Sequence, residues 1–148
     1  MFINKTGKRV LVLVHSESYK GLSFYKLIHK ARLKKIVNIF RELKLPPKGK
    51  WADFGCSDGF YFSYLRERIE ELAKWELFGF DYEEALLNLA KERKIPNTSF
   101  FKFDLNKINK KYQDLFDFVT CFETIEHTGN YKNAFSDFKM ACAPIWQG

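Results

Sequence analysis

The chain has 148 residues, of which 46% are hydrophobic and 29% charged, so it suits one domain with a real core and is too apolar to be disordered. Its longest apolar run near the N-terminus, residues 10–14, is too short for a transmembrane helix or a signal-peptide core. The three cysteines, Cys56, Cys121 and Cys142, have no C-x-x-C spacing, which argues against a disulfide framework or a structural zinc site. We therefore expect a cytoplasmic protein.

The net charge of +7 is unevenly distributed along the chain. Residues 1–50 hold 13 Lys and Arg against 2 Asp and Glu, a net charge of +11, whereas residues 51–148 hold 12 against 16, a net charge of −4. A basic segment of this kind attracts phosphates, nucleic acid or an anionic surface, and a solvated lysine face is the alternative interpretation.

The first predicted elements are a short strand and a basic helix. "RVLVLV" at residues 9–14 is β-branched and apolar, which favours a strand. Apolar residues then recur at helical spacing from Leu22 to Leu43 with lysines between them, which predicts one or two amphipathic helices. "LPPKGK" ends this pattern because proline cannot continue a helix. We therefore predict an N-terminal basic segment over residues 1–48 and a second domain over residues 49–148.

A regular alternation of strands and helices follows the prolines. Apolar runs predict strands at residues 50–54, 75–80, 98–104 and 115–122, and helical patterns fill residues 60–73, 81–94 and 131–142. Strands that alternate with helices imply βαβ units. The predicted fold class is therefore α/β, a Rossmann-like, doubly wound and mostly parallel sheet with helices on both faces.

Acidic and glycine-rich positions coincide with the predicted carboxyl ends of all four strands, where such sheets bind ligands. They are Asp53 with Gly55 and Gly59, then Asp81, then Asp104, then Glu123 with Glu126 and His127. Glycine lets the backbone approach a ligand, and an acid at the end of a second strand suits the two hydroxyls of a ribose. Taken singly, each feature is also explained by a turn or a helix cap. Their joint spacing favours a ligand site.

The motifs "ADFGCSDG", "FGFDYEEAL", "FFKFDL" and "FDFVTCFETIEH" resemble, in order and spacing, those of class I S-adenosylmethionine-dependent methyltransferases, over about residues 50–142. Ser57 stands where the family's first motif usually has its middle glycine. The fingerprint G-x-G-x-x-G is absent after the first of these strands, which argues against a nicotinamide-dependent oxidoreductase. The cofactor implied by the resemblance is S-adenosylmethionine.

The resemblance also implies a set of cofactor-binding residues. The loop from Asp53 to Gly59 would hold the methionine part, Asp81 the ribose hydroxyls, and Asp104 the adenine amine. The residues that the resemblance implies for cofactor binding are Asp53, Phe54, Gly55, Cys56, Ser57, Gly59, Asp81, Tyr82, Asp104, Leu105, Phe122 and Glu123.

His127 is the candidate catalytic residue, because an oxygen acceptor must lose a proton and a histidine titrates near neutral pH. Together Glu123, Glu126 and His127 form E-x-x-E-H, which resembles a divalent-metal pattern of some O-methyltransferases. We predict a metal-free role for these residues, and a bound metal is the alternative. His29, Lys30 and Arg32 on the basic helix are candidates for contact with an anionic acceptor, although a solvated helix face is the favoured interpretation of these residues.

The resemblance covers only part of a family domain, because the chain ends before the last strands of the usual seven-stranded sheet. We therefore expect an open sheet edge that a second copy or a partner chain covers. The predicted activity is methyl transfer to an oxygen, or another nucleophile, of a small molecule. The alternatives are an RNA methyltransferase and a non-catalytic methyltransferase-like binding domain.

Overall fold

The computed structural model describes residues 2–3, 9–13, 22–106 and 110–122, together with Thr124, Gly129, Lys132 and Ser136. The strands are β1 (Phe2–Ile3), β2 (Arg9–Leu13), β3 (Lys50–Phe54), β4 (Glu76–Asp81), β5 (Thr98–Lys102) and β6 (Phe118–Phe122). The α-helices are α1 (Leu22–Glu42), α2 (Phe60–Arg66) and α3 (Glu84–Glu92), and two short 3-10 helices span Glu70–Lys74 and Lys110–Tyr112. Of the helix predicted over residues 131–142, the described residues are Lys132 and Ser136, which are helical, and the others lie outside the described residues.

The six strands form one sheet in the order β1-β2-β6-β3-β4-β5. All neighbouring pairs are parallel except β1 with β2. The register places Asp53 of β3 beside Gly79 of β4 and Thr120 of β6, so the carboxyl ends of these three strands meet at one edge. The four predicted core strands and the Rossmann-like fold class are confirmed, with strand ends that differ by up to three residues from the predicted ones.

The N-terminal strand β2 extends the sheet beyond β6. Val10 to Leu13 pair in parallel with Val119 to Phe122, and β1 pairs with β2 on the far side. The edge of the fourth core strand is therefore occupied by a segment of the same chain, and a partner that covers another edge of the sheet stays a prediction.

The first face of the sheet is covered by all three α-helices. α1 is a single helix, and it buries Ile36, Val37 and Phe40 against Trp51 of β3 in the same apolar cluster that takes in α2 and Leu87 of α3. The basic segment therefore contributes side chains to the core of the α/β unit. No helix among the described residues is long and apolar enough to cross a membrane.

The predicted helix over residues 60–73 is interrupted. α2 ends at Arg66, and Ile69 has extended backbone angles of −126° and 100° before the 3-10 helix begins. The Arg66 guanidinium donates hydrogen bonds to the carbonyl oxygens of Leu72 and Trp75, at 2.9 and 2.8 Å from Nη2, and holds this turn closed. Ile69 and Leu72 are both buried. The interruption of the helix therefore lets both apolar side chains pack into the core.

The second face is largely aromatic. Phe54 and Phe80 stack with ring centroids 4.7 Å apart, and Tyr112 of the short 3-10 helix packs edge-on against Phe80 at 4.7 Å. Successive residues along a strand thus point alternately into the two apolar cores. Because both faces of the sheet are buried, the sequences of the strands are nearly continuous apolar runs.

Candidate functional site

The loop between β3 and α2 turns sharply through three left-handed residues. Gly55, Ser57 and Gly59 have φ of 83°, 50° and 75°. The amides of Gly55 and Cys56 donate to the Phe80 carbonyl at 2.6 and 3.0 Å, which anchors the loop on the end of β4. Left-handed conformation is inexpensive for glycine and costly for other L-residues, so the glycines explain how the chain makes this turn.

Gly55 is also a point of close approach. A Cβ there would lie 2.0 Å from Oγ1 of Thr124, whose hydroxyl reaches the carbonyl oxygens of Gly55 at 3.2 Å and Phe122 at 2.9 Å. Thr124 therefore closes the space above the loop from the end of β6. Nothing in the local sequence pattern marks Thr124 as a site residue, because its contact is with a loop 69 residues earlier.

Asp81 links the loop to the end of β4. Its Oδ2 accepts a hydrogen bond from the Ser57 amide at 2.8 Å, and its Oδ1 accepts one from the Glu83 amide at 2.9 Å. Each carboxylate oxygen has two lone pairs, so both can accept a further donor. The carboxylate is thus oriented by the backbone and still able to receive two hydroxyl groups.

The neighbouring strand ends supply an exposed ring and a second acid. Tyr82 is 60% exposed, with the Lys102 ammonium 5.8 Å from its ring centroid. Asp104 follows β5, and its Oδ1 accepts hydrogen bonds from the backbone and side-chain amides of Asn106 at 2.9 and 3.1 Å. Leu105 is buried beside it. An aromatic face, an acid and an aliphatic wall therefore lie together past β4 and β5.

Asp53 lies beneath the loop and is 1% exposed. The Trp51 indole N–H donates to Oγ1 of Thr120 at 2.7 Å, and that hydroxyl donates to the Asp53 carboxylate at 2.6 Å. Burial raises the pKa of Asp53 to about 7, with a smaller contribution from the charge of Asp81 and an opposing one from the Thr120 hydrogen bond. Burial likewise raises the pKa of the Cys56 thiol, so that thiol is not a nucleophile at neutral pH.

These elements surround a cavity of about 600 Å³ at the carboxyl ends of the strands. Its volume lies within the usual range for pockets that hold small organic ligands. Eight of the predicted cofactor-binding residues line it: Gly55, Cys56, Ser57, Asp81, Tyr82, Asp104, Leu105 and Phe122. Asp53, Phe54 and Gly59 are buried and do not form its wall.

The remaining predicted site residues, Glu123 and His127, lie outside the described residues, and so does Glu126 of the E-x-x-E-H pattern. Within the described part of the chain, no cluster of His, Cys, Asp and Glu is arranged to hold a metal.

Three residues of the wall come from helices α1 and α2, and of these only His29 was a predicted site residue. His29 of α1 lines the cavity, whereas its neighbours Lys30 and Arg32 do not. Phe60 and Tyr61 open α2 and line it as well. In the sequence, Phe60 and Tyr61 have the spacing of residues on a helix face. The packing of α1 against α2 brings them and His29 to the cavity.

A salt bridge ties the loop to α3. Asp58 accepts from the guanidinium of Arg93 at its carboxylate, and its carbonyl oxygen accepts from Nε of Arg93 at 2.6 Å. Both side chains are about one-third exposed, so solvent weakens the ion pair. The main effect of the contact is to hold the loop against the end of α3.

Comparison with known proteins gives a consistent family. A family model described as "Methyltransferase domain" matches residues 25–145. No curated protein sequence gives a significant match.

Three solved structures are similar to this chain at identities below 25%. At such identities the similarity shows the fold alone. A SAM-dependent methyltransferase from Aquifex aeolicus has 21% identity and a TM-score of 0.61 over 77% of this chain and 67% of its own. A protein from Pyrococcus horikoshii has 22% identity and a TM-score of 0.63 over 78% of this chain and 54% of its own. A structure described as "Complex between the Haloferax volcanii Trm112 methyltransferase activator and the putative methyltransferase" has 16% identity and a TM-score of 0.59 over 86% of this chain and 58% of the matched chain. The chain thus spans between about half and two thirds of these proteins.

Proposed function

Since the chain belongs to the methyltransferase-domain family, we propose that it is an S-adenosylmethionine-dependent methyltransferase that acts on an oxygen of a small-molecule acceptor. The family match covers 121 of the 148 residues, including every strand that borders the cavity among the described residues. The observation that carries the proposal is the Asp81 carboxylate, which backbone amides orient at the cavity wall while its remaining lone pairs stay available.

The residues past β4 and β5 suit the adenosine part of the cofactor. Asp81 would accept the two ribose hydroxyls, as an acid at this strand end does in dinucleotide-binding folds. The exposed ring of Tyr82 would lie against the adenine, Asp104 would accept from its amine, and the backbone of Leu105 would meet another ring nitrogen. The chemistry of these donors and acceptors fits a nucleoside.

The loop after β3 suits the methionine part. Gly55 and Ser57 present backbone with little side chain at the cavity wall, and a Cβ at Gly55 would already collide with Thr124. Asp53 would act as a positioning residue beneath the loop, since it holds Thr120 and does not itself line the cavity. The wall carries the carboxylates of Asp58, Asp81, Glu83 and Asp104, which favours a ligand with positive charge.

When bound, S-adenosylmethionine supplies a methyl group on a positively charged sulfur, which leaves as a neutral thioether. The protein would position the acceptor oxygen in line, exclude water and accept the hydroxyl proton. We assign the proton acceptor to His127, which follows β6 and whose ordinary pKa suits neutral pH. Phe122, at the end of β6, and Glu123 would border the same part of the site.

Calorimetric titration with S-adenosylhomocysteine tests cofactor binding, and Asp81→Ala is the informative variant. We expect its dissociation constant to rise at least tenfold, because a lost hydrogen bond to a charged group costs about 1.5–3 kcal/mol. The control is Glu92→Ala at the exposed end of α3, which should bind as the unmodified chain does. Absence of heat from the unmodified chain at millimolar ligand would contradict the proposal.

Turnover separates an enzyme from a binding domain. With S-adenosylmethionine and a panel of hydroxylated acceptors, an enzyme releases S-adenosylhomocysteine, and His127→Ala should lower that rate without changing cofactor affinity. Binding of the cofactor without release on any acceptor would favour the non-catalytic alternative.

An RNA acceptor is the second candidate, because the solvent side of α1 is strongly basic. Lys30, Lys34, Lys35 and Arg41 are all exposed there. Electrophoretic binding to RNA over a salt series tests it, since contacts with phosphates alone weaken steeply as salt rises. Retained RNA binding together with methyl incorporation into RNA would favour this candidate over a small molecule.

A partner chain and a cytoplasmic location remain predictions. Because β2 occupies the edge beside β6, a partner would have to use β1, the outer edge of β5 or a helix face. The activator bound to the Haloferax methyltransferase offers a precedent for a partner of this fold.

A further inference from the structure

The two ends of the cavity differ in charge. On the side of β4 and β5 the carboxylates of Asp81 and Asp104 form the wall together with apolar side chains, which include Phe80, Tyr82, Phe103 and Leu105. On the side of β6 the wall consists of aromatic side chains from three elements: His29 of α1, Phe60 and Tyr61 of α2, and Phe122 of β6. We call these four rings the aromatic wall.

The rings of the aromatic wall form a continuous series of contacts. The centroids of Tyr61 and Phe122 are 4.6 Å apart, those of Phe60 and Tyr61 5.6 Å, and those of His29 and Phe60 6.2 Å. Tyr64, one helical turn along α2, stacks against Phe60 at 5.4 Å with an interplanar angle of 27°. These separations are typical of favourable ring pairs, so the wall is held in place by its own packing.

The charges of the cavity lining restrict the kind of acceptor that could bind at the aromatic wall. The described lining residues include four carboxylates, of which Asp58 is paired with Arg93, and no Lys or Arg. Against these described residues, a phosphate or carboxylate group of an acceptor would lie beside like charges and without a cationic partner. Lys30, Lys34, Lys35 and Arg41 of α1 are exposed instead.

We propose that the methyl acceptor is a neutral, planar aromatic molecule that docks on the aromatic wall. The inference rests on the proposed function, because it assigns the β4 and β5 side of the cavity to the cofactor. A flat ring gains contact area and ring–ring attraction against Phe60 and Tyr61, which a saturated molecule of similar size does not. Both side chains are only partly buried, so they retain surface for a ligand.

The test uses 2-naphthol as a probe, titrated into the full chain saturated with S-adenosylhomocysteine. Two analogues are matched controls: decahydro-2-naphthol, which is saturated, and 2-naphthoate, which carries a negative charge. We expect 2-naphthol to bind at least fivefold more tightly than the saturated analogue and at least tenfold more tightly than the anion.

Phe60→Leu is the informative variant, because it keeps an apolar side chain and removes the ring. We expect its affinity for 2-naphthol to fall about two- to tenfold, the range for loss of one ring pair, with unchanged affinity for S-adenosylhomocysteine. Phe101→Leu is the matched control, since Phe101 packs against Phe78 and Phe80 and does not line the cavity. It should bind the probe as the unmodified chain does.

Four outcomes overturn parts of this account. If S-adenosylhomocysteine does not bind, the proposed function and the inference both fail. If it binds but 2-naphthol does not, or binds no better than its two analogues, only the inference fails. If Phe60→Leu weakens S-adenosylhomocysteine as much as 2-naphthol, the ring belongs to the cofactor site and the assignment to the acceptor is wrong. If Phe60→Leu leaves 2-naphthol binding unchanged, the probe does not dock on the aromatic wall.

Discussion

Ser57 has φ of 50°, a left-handed conformation that glycine adopts more easily, at the position where related first motifs usually have glycine. Its amide donates to Asp81, and glycine would keep that hydrogen bond. The serine side chain is exposed. The residue therefore tolerates strain in a loop that the surrounding hydrogen bonds hold in place.

We expect Ser57→Gly to raise the free energy of unfolding by about 0.5–1 kcal/mol, since the left-handed region costs an L-residue roughly 1–2 kcal/mol and the greater freedom of unfolded glycine offsets part of it. Chemical denaturation measures this. Ser63→Gly inside α2 is the control, and it should lower the same quantity by roughly 0.5–1 kcal/mol. Loss of S-adenosylhomocysteine binding in Ser57→Gly would indicate that the serine side chain itself holds the cofactor.

Asp53 makes stability depend on pH. Its pKa is about 7 in the folded chain against an ordinary 3.8, so the folded state binds the proton more tightly. This contribution to stability is fully present below pH 3.8 and is lost as pH rises through about 7. Between pH 5 and 8 the loss is on the order of 2 kcal/mol, since one pKa unit corresponds to about 1.4 kcal/mol.

Asp53→Asn keeps an acceptor for the Thr120 hydroxyl and cannot ionise. We therefore expect its urea midpoint to change less between pH 5 and pH 8 than that of the unmodified chain. Asp117→Asn is the control, because Asp117 is exposed and accepts a backbone hydrogen bond from Lys50, and its pH profile should follow the unmodified chain. Equal pH slopes for Asp53→Asn and the unmodified chain would show that Asp53 is ionised throughout.

At the scale of elements, β2 decides how the sheet ends. It pairs in parallel with β6, the strand that carries Phe122 to the cavity. A parallel edge exposes unpaired amides and carbonyls that other strands can join, so β2 protects a strand on which the site depends. Its contribution follows from backbone pairing over four residue pairs.

Deleting residues 1–21 should therefore leave β6 as an edge and cause self-association. Size-exclusion chromatography with light scattering would detect dimers or larger species whose fraction rises with concentration. Deleting only residues 1–8 removes β1 and keeps β2, so this control should behave as the full chain does. A monomeric 22–148 variant with an unchanged thermal midpoint would contradict the assigned role of β2.

In the molecule as a whole, the strand order determines which side chains lie at each end of the cavity. Because β3 lies between β4 and β6, the loop after β3 separates the acids past β4 and β5 from the rings near β6. Among residues 27–50, whose side chains the structure describes, no lysine or arginine lines this cavity, and α1 contributes His29 to it. The site is acidic and aromatic although the chain as a whole is basic.

Local apolar patterns and turn residues were enough to predict the four core strands to within three residues, the Rossmann-like class, and the position of Asp81, Asp104 and the glycine loop at one edge of the sheet. The pairing of β2 with β6 is seen in the folded chain alone, since strand pairing depends on distant backbone. The same holds for the positions of His29 and Thr124 at the cavity and for the burial of Asp53 beneath it. Contacts between residues separated by tens of positions leave no periodic signal in the sequence, whereas a helix or a strand does.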